Sequence, residues 1–216
     1  MDCRGEDRRR WIVQNYKVRP IAHVALLNGQ SKKSDAGREI EKEYYKFEVI
    51  SNQSGKKELI ICGMGAARHF LELTNEQPLP LFNPLVNHIE SDINNNVSNK
   101  NFQNNRDDCN NWDVISKQLY NACMWIILII DAEVGTPIYD IKDKIQQYKI
   151  YPPYESIVKS VNTIIKKLFK GVTLTSKIEE LAEQNDLKNE IYDFGLIRKN
   201  YSNMEDTKEE KIILYF

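Results

Sequence analysis

Residues 44–73 constrain the fold more than any other stretch of the chain. Tyr44-Tyr45-Lys46-Phe47-Glu48-Val49-Ile50 alternates apolar and polar side chains, the period-two pattern of a strand with one buried and one wet face. Asn52-Gln53-Ser54-Gly55 is rich in turn formers, and Glu58-Leu59-Ile60-Ile61-Cys62 reads as a second strand. Its last four residues are all apolar, which predicts a central strand covered on both faces. Gly63-Met64-Gly65 then breaks the pattern, and Ala66, Ala67, Phe70 and Leu71 lie at helical spacing. A hairpin that runs through glycines into a helix predicts a small antiparallel sheet with a covering helix.

The flanking sequence extends this α+β reading. Residues 21–27 form a short apolar run ended by Asn28-Gly29, expected to be a buried strand containing His23 as a core residue. Residues 1–19 are basic and polar and are expected to be poorly ordered. Residues 74–84 contain Pro78, Pro80 and Pro84, which deny helix and central strand alike. The neighbouring Leu79, Leu81 and Phe82 suggest an ordered segment packed over the hairpin and helix.

Residues 87–111 hold many Asn and almost no apolar side chains, too few to offset the entropy of ordering. They predict a linker or mobile loop between an α+β region, residues 1–86, and a helical region, residues 112–216, the two being either separate or packed together as one domain. In the latter, residues 112–130 become apolar all round, as in a central buried helix. Thr136-Pro137 marks a helix start, and Ile138, Ile141 and Ile145 continue one face. Ile157, Val158, Val161, Ile164, Ile165 and Leu168 form the strongest amphipathic stripe, closed by Gly171. Ser176-x-x-Glu179 is a capping-box signature for a further helix. The apolar residues 212–216 are expected to form a terminal strand pairing with the N-terminal sheet.

Bulk properties exclude some classes. The chain has 216 residues, 41% hydrophobic and 28% charged, with a formal net charge of -1. No global field draws it to nucleic acid or to an anionic membrane. Basic residues outnumber acidic ones only in residues 1–60, most densely at Arg8-Arg9-Arg10. Cys3, Cys62, Cys109 and Cys123 have no metal-ligand or redox spacing, so free thiols in a reducing, cytoplasmic setting are expected. The charged start is unlike a secretory leader, and the longest apolar run falls short of the ~20 residues of a membrane span.

Three sets of residues carry candidate chemistry. Cys62-Gly63-Met64-Gly65-Ala66-Ala67-Arg68 places a Cys and an Arg with five residues between them, after a strand and running into a helix. This resembles the phosphate loop of cysteine-dependent phosphatases. The resemblance implies a thiolate nucleophile at Cys62, and an anion held by the Gly63 and Gly65 amides and the Arg68 guanidinium. His69 stands where such loops usually carry Ser or Thr, and Ile61 where many carry His. The second set, Asp131 with Asp140-Ile141-Lys142, resembles the metal-nuclease constellation of the PD-(D/E)xK type. That resemblance implies Mg²⁺ on the carboxylates and requires residues 126–134 and 138–142 to be strands. The third set is a phosphate-contacting surface made by Arg8, Arg9 and Arg10 with Lys166, Lys167 and Lys170. No catalytic set is complete, so the expectation is a non-catalytic protein that binds nucleic acid or another protein, without a cofactor.

Overall fold

A computed structural model describes residues 1–27, 29–84, 112–185, 194–205 and 210–216. The predicted linker at residues 87–111 lies outside them. The chain divides into two units, Met1–Pro84 with Asp131–Thr136, and Leu85–Ile130 with Pro137–Phe216. The fold is α+β: a small antiparallel sheet with helices in the N-terminal part, and helices in the C-terminal part.

Unit 1 opens with helix α1 (Glu6–Asn15), which runs directly into strand β1 (Tyr16–Ala25). The terminus expected to lack order is therefore built into the fold. Its anchor is Ile12, fully buried in the core, and nothing else in the helix is buried. Tertiary packing, rather than an apolar stripe, fixes this helix. A two-residue pair, β2 (Lys32–Lys33) with β3 (Glu39–Ile40), precedes the hairpin of β4 (Glu43–Ser51) and β5 (Lys57–Gly63). Helix α2 (Met64–Thr74) follows β5 with no intervening loop.

The sheet order is β1-β4-β5, all antiparallel. The centre is therefore β4, and the apolar β5 is an edge strand, contrary to the sequence expectation. Its edge is covered locally. The Asp35 amide donates to the Ile61 carbonyl at 2.8 Å, and the Ile61 amide donates to Asp35 Oδ2 at 2.7 Å. The opposite edge is covered by the proline-rich segment, whose Phe82 bridges Val24. Leu79 accepts from the Tyr45 hydroxyl and lies 3.1 Å from His23 Nδ1. The His23 ring stacks on Tyr45 and its Nε2 meets Glu43, a partnered core position.

Tyr45, Phe47 and Val49 of β4 pack with Ile12, Ile60, Ala67 and Phe70, so α1 and α2 share one face of the sheet. The other face of β4 is not wet. Lys46 is 0% and Glu48 3% exposed. Glu48 bridges both neighbouring strands, meeting Arg19 at 2.6 Å and Lys57 at 3.2 Å. Lys46 Nζ donates to Asp131 Oδ1 at 2.9 Å and to the Ala132 carbonyl at 3.1 Å, and Lys32 reaches the same Asp131 oxygen at 2.8 Å. Buried charges persist because each has a partner.

In unit 2 the central element is α3 (Val114–Ile129), buried on all sides from Ser116 to Ile127 except at Lys117. Asp113 caps it by accepting from the Ile115 and Ser116 amides. Around it lie α4 (Pro137–Gln147), α5 (Glu155–Leu168), α6 (Leu174–Gln184) and α7 (Gly195–Asn200). Helix α6 starts before the predicted Ser176, because Thr173 is the cap and accepts from the Ser176 amide. The end of the chain forms no strand with the sheet. Buried Asn162 holds it within unit 2, donating to the Ile213 carbonyl at 2.8 Å and accepting from the Tyr215 amide at 2.7 Å. Phe216 is buried beside Phe194. No described helix is long and apolar enough to cross a membrane.

Two stability predictions follow from the charges on β4. Burial pushes the Glu48 carboxyl up, but Arg19 and Lys57 outweigh it and hold the pKa below the usual carboxylate value. The unfolded chain then takes up the proton first as pH falls. The contribution of Glu48 is present above the unfolded carboxylate pKa of about 4.3 and lost as pH drops through the folded value. Glu48→Gln is expected to cost about 1–3 kcal/mol at pH 7, and to flatten the acid side of the urea-midpoint profile; an unchanged acid slope contradicts it. Asp131→Ala strands Lys46, and is expected to cost about 1–2 kcal/mol, discounted because the Asp131 side chain is largely exposed. Adding Lys46→Met should recover part of that loss in the same measurement.

Candidate functional site

The glycines that drew attention in the sequence form one wall of an open cleft of about 900 Å³ in unit 1. Gly63 is extended, with φ -76° and ψ 172°, and α2 begins at the next residue without a capping side chain or an acidic first turn. Its first amides therefore have no intrahelical acceptor and no side-chain cap. Neither glycine has a positive φ, so neither is there to make a tight turn. A Cβ at Gly65 would meet nothing within 4 Å.

The opposite wall comes from the chain before α1 and from the β2–β3 connection. Gly37 turns that connection with φ +85°, and Arg4 lies across it, 3.5 Å from where a Cβ would stand. A side chain at 37 would crowd Arg4 as well as strain the backbone. Arg38 follows on the cleft rim. Arg9 reaches the same cleft while its Nε donates to His69 Nδ1 at 2.8 Å and one terminal nitrogen donates to the Cys3 carbonyl at 3.1 Å.

Charge accounting on the rim favours an anion. Glu6 is paired with Arg10 at 3.3 Å, Glu43 faces His23, and Glu39 accepts from the Ser31 hydroxyl. Arg4, Arg38 and Lys42 have no ion pair or side-chain hydrogen bond among the described residues. Of the four carboxylates lining the cleft, these three are directed to other groups and Glu41 has no partner among the described residues, so Arg4, Arg38 and Lys42 outnumber the one free carboxylate beside the positive end of the α2 dipole. No sequence spacing joins residues 4, 38 and 63; only the tertiary fold does.

The reactive pair suggested by the sequence is not assembled at this cleft. Cys62 is fully buried in the core shared with Cys3, Tyr45 and Phe70, while Arg68 is exposed on α2; neither lines the cleft. Burial, with smaller contributions from Cys3 and Asp35, pushes the Cys62 thiol far above its usual pKa, the opposite of an activated thiolate. Cys3 is likewise pushed up to about 11 by burial and by Asp35, and burial pushes Cys123 up to about 12.

The nuclease constellation fails on secondary structure. Residues 138–142 are helical in α4, because Pro137 sits at the first helical position and Ile138, Lys142 and Ile145 bury one face. Asp140 is exposed, whereas the buried Lys142 ammonium pairs with Asp143 at 2.7 Å. Asp131 is occupied by Lys32 and Lys46. Among the described residues no cluster of three or more His, Cys, Asp or Glu side chains is arranged to hold a metal.

The basic residues have internal roles. Arg10 pairs with Glu6 and Asp7, and Arg8 stacks over Trp11 at 4.2 Å while donating to the Asp2 carbonyl. Lys166 and Lys167 are exposed in the last turn of α5, where cations offset the helix dipole, Lys170 is exposed just past its end, and Lys166 lies over the Tyr215 ring at 5.9 Å.

The thiol environment makes a direct prediction. In a Cys109→Ser background, Cys62 should react with a soluble alkylating reagent at pH 7.5 at least about 100-fold more slowly than free cysteine, with a rate that follows unfolding. Fast reaction of the folded protein contradicts the buried placement.

Neither a curated protein nor a solved structure is significantly similar to the chain. A family described as "Uncharacterised conserved protein UCP028583" matches residues 1–212. With nearly its whole length matched, the chain belongs to that family.

Proposed function

We propose that the chain is a non-catalytic binding protein that takes an anionic group of a protein partner into the unit 1 cleft. The observation that carries this reading is the set of available cations, Arg4 and Arg38 above all, around the uncapped start of α2. A carboxylate or phosphate there meets guanidinium donors and helix-terminal amides together.

A protein partner is favoured over nucleic acid by the shape and charge of the cleft. It is an open cleft whose rim mixes glutamates with the free cations, so an anionic group is held locally at Arg4 and Arg38 rather than along a track. Tracking a nucleic-acid backbone needs a row of free cations, and Arg8 and Arg10 are engaged within α1 and its approach. A reducing, cytoplasmic setting suits the buried free thiols of Cys3, Cys62 and Cys123. The binding reading requires no cofactor.

Titration of the labelled full chain with inorganic phosphate, followed by amide NMR, tests the site. Saturable shifts are expected at Gly63, Gly65 and Ala66, with binding about tenfold or more weaker in Arg4→Glu/Arg38→Glu, the loss expected for charge-assisted hydrogen bonds. Both side chains are exposed, so the variant should fold. Absence of shifts at these amides sinks the reading. Tight oligonucleotide binding with steep salt dependence replaces it with the nucleic-acid alternative.

A further inference from the structure

A different feature of unit 2 points to a second surface. Residues 148–154 connect α4 to α5, and their backbone is held from below. The Asp113 amide donates to the Lys149 carbonyl at 2.7 Å, the Ser116 hydroxyl to the Tyr151 carbonyl at 2.6 Å, and the Tyr201 hydroxyl to the Pro153 carbonyl. The side chains do the reverse. Tyr148, Ile150, Tyr151 and Tyr154 are 51%, 47%, 61% and 72% exposed. A fixed backbone that displays three tyrosines and an isoleucine to water is an apolar patch with little left to order on binding. Between the tyrosines lies a pocket of about 30 Å³, the size of a methyl group or a water.

We propose that residues 148–154 form a docking surface for an acidic segment of another protein, one that sets an apolar side chain beside its carboxylates. The apolar anchor enters the pocket between Tyr148, Tyr151 and Tyr154. Charge selects the rest of the partner. Lys144 lines the pocket, and its ammonium has no ion pair or hydrogen bond among the described residues. The neighbouring Glu155 is paired with Lys159 at 3.5 Å, so the uncompensated charge at the pocket is positive. A second copy docking patch to patch would place Lys144 near its own symmetry mate. A nucleic acid would find stacking rings but, among the described residues lining the pocket, Lys144 as the one free cation to follow its backbone.

The test pans a phage-displayed library of random peptides against the full chain. Enriched peptides should combine Asp or Glu with a small aliphatic residue whose methyl group fits the pocket. Their affinity should fall at least about tenfold in Tyr154→Ser and in Lys144→Glu, with Lys144→Glu rescued by peptides carrying Lys in place of the acidic residue. Arg4→Glu/Arg38→Glu should leave this binding unchanged, which separates failure here from failure of the cleft. Tyr154 and Lys144 are exposed, so both variants should unfold at the wild-type temperature. The proposal is overturned by no enrichment, by basic peptides, or by peptides indifferent to both substitutions. A dimer seen by light scattering and abolished by Tyr154→Ser also overturns it, making the patch a self-interface.

Discussion

Strand β4 carries an ammonium and a carboxylate into places that water does not reach, and much of unit 1 is arranged around neutralising them. An isolated buried charge costs several kcal/mol even after relaxation, roughly the whole margin by which a domain is stable. Glu48 is matched sideways, by Arg19 on one neighbouring strand and Lys57 on the other, which also fixes the register of all three strands. Lys46 is matched by a segment distant in sequence, residues 131–136. Asp131 meets it with φ +45°, a left-handed conformation disfavoured for most residues but tolerated by Asp. Position 131 therefore needs a side chain that is both anionic and at ease in that backbone, and Asp satisfies both conditions.

The junction of β5 and α2 shows why a local motif does not guarantee a site. Alternation along β5 turns Cys62 inward with Ile60, onto the core beneath α1 and α2. The helical rotation of α2, about 100° per residue, then buries Ala67, Phe70 and Leu71 and turns Arg68 out to solvent. Six residues apart, the thiol and the guanidinium are sent to opposite environments by two periodicities that are each satisfied. What survives at the junction is backbone: the amides of an uncapped helix start, lining one cleft with arginines from elsewhere in the unit.

The parts legible in the sequence were those set by short-range periodicity. The hairpin, the following helix, the strand holding His23, the all-round burial of residues 118–127 and the left-handed Gly171 all follow from patterns a few residues long. Other parts depend on distant partners. A single buried residue, Ile12, secures α1, so no stripe announces that helix. Lys46 and Glu48 look solvent-facing because nothing nearby in sequence reveals Asp131, Arg19 or the strand order. Residues 212–216 look like a strand because their apolar side chains are visible and the Asn162 clamp, some fifty residues away, is not. The cleft was illegible for the same reason: Arg4 and Arg38 are ordinary charged loop residues until the fold sets them opposite Gly63.

In each unit the proposed surface rests on the same division of labour. Buried or backbone groups over-determine the main chain, and exposed side chains on that fixed frame lack internal partners. At the cleft, Gly37 and the β2–β3 pairing hold the turn while Arg4 and Arg38 remain available. At residues 148–154, three carbonyls are tied down while three tyrosines face water. The groups that fix the frame contribute to folding, and the groups that face outward contribute little. Recognition can then change by substitution of the exposed side chains without a matching loss of stability, because the two functions draw on different atoms.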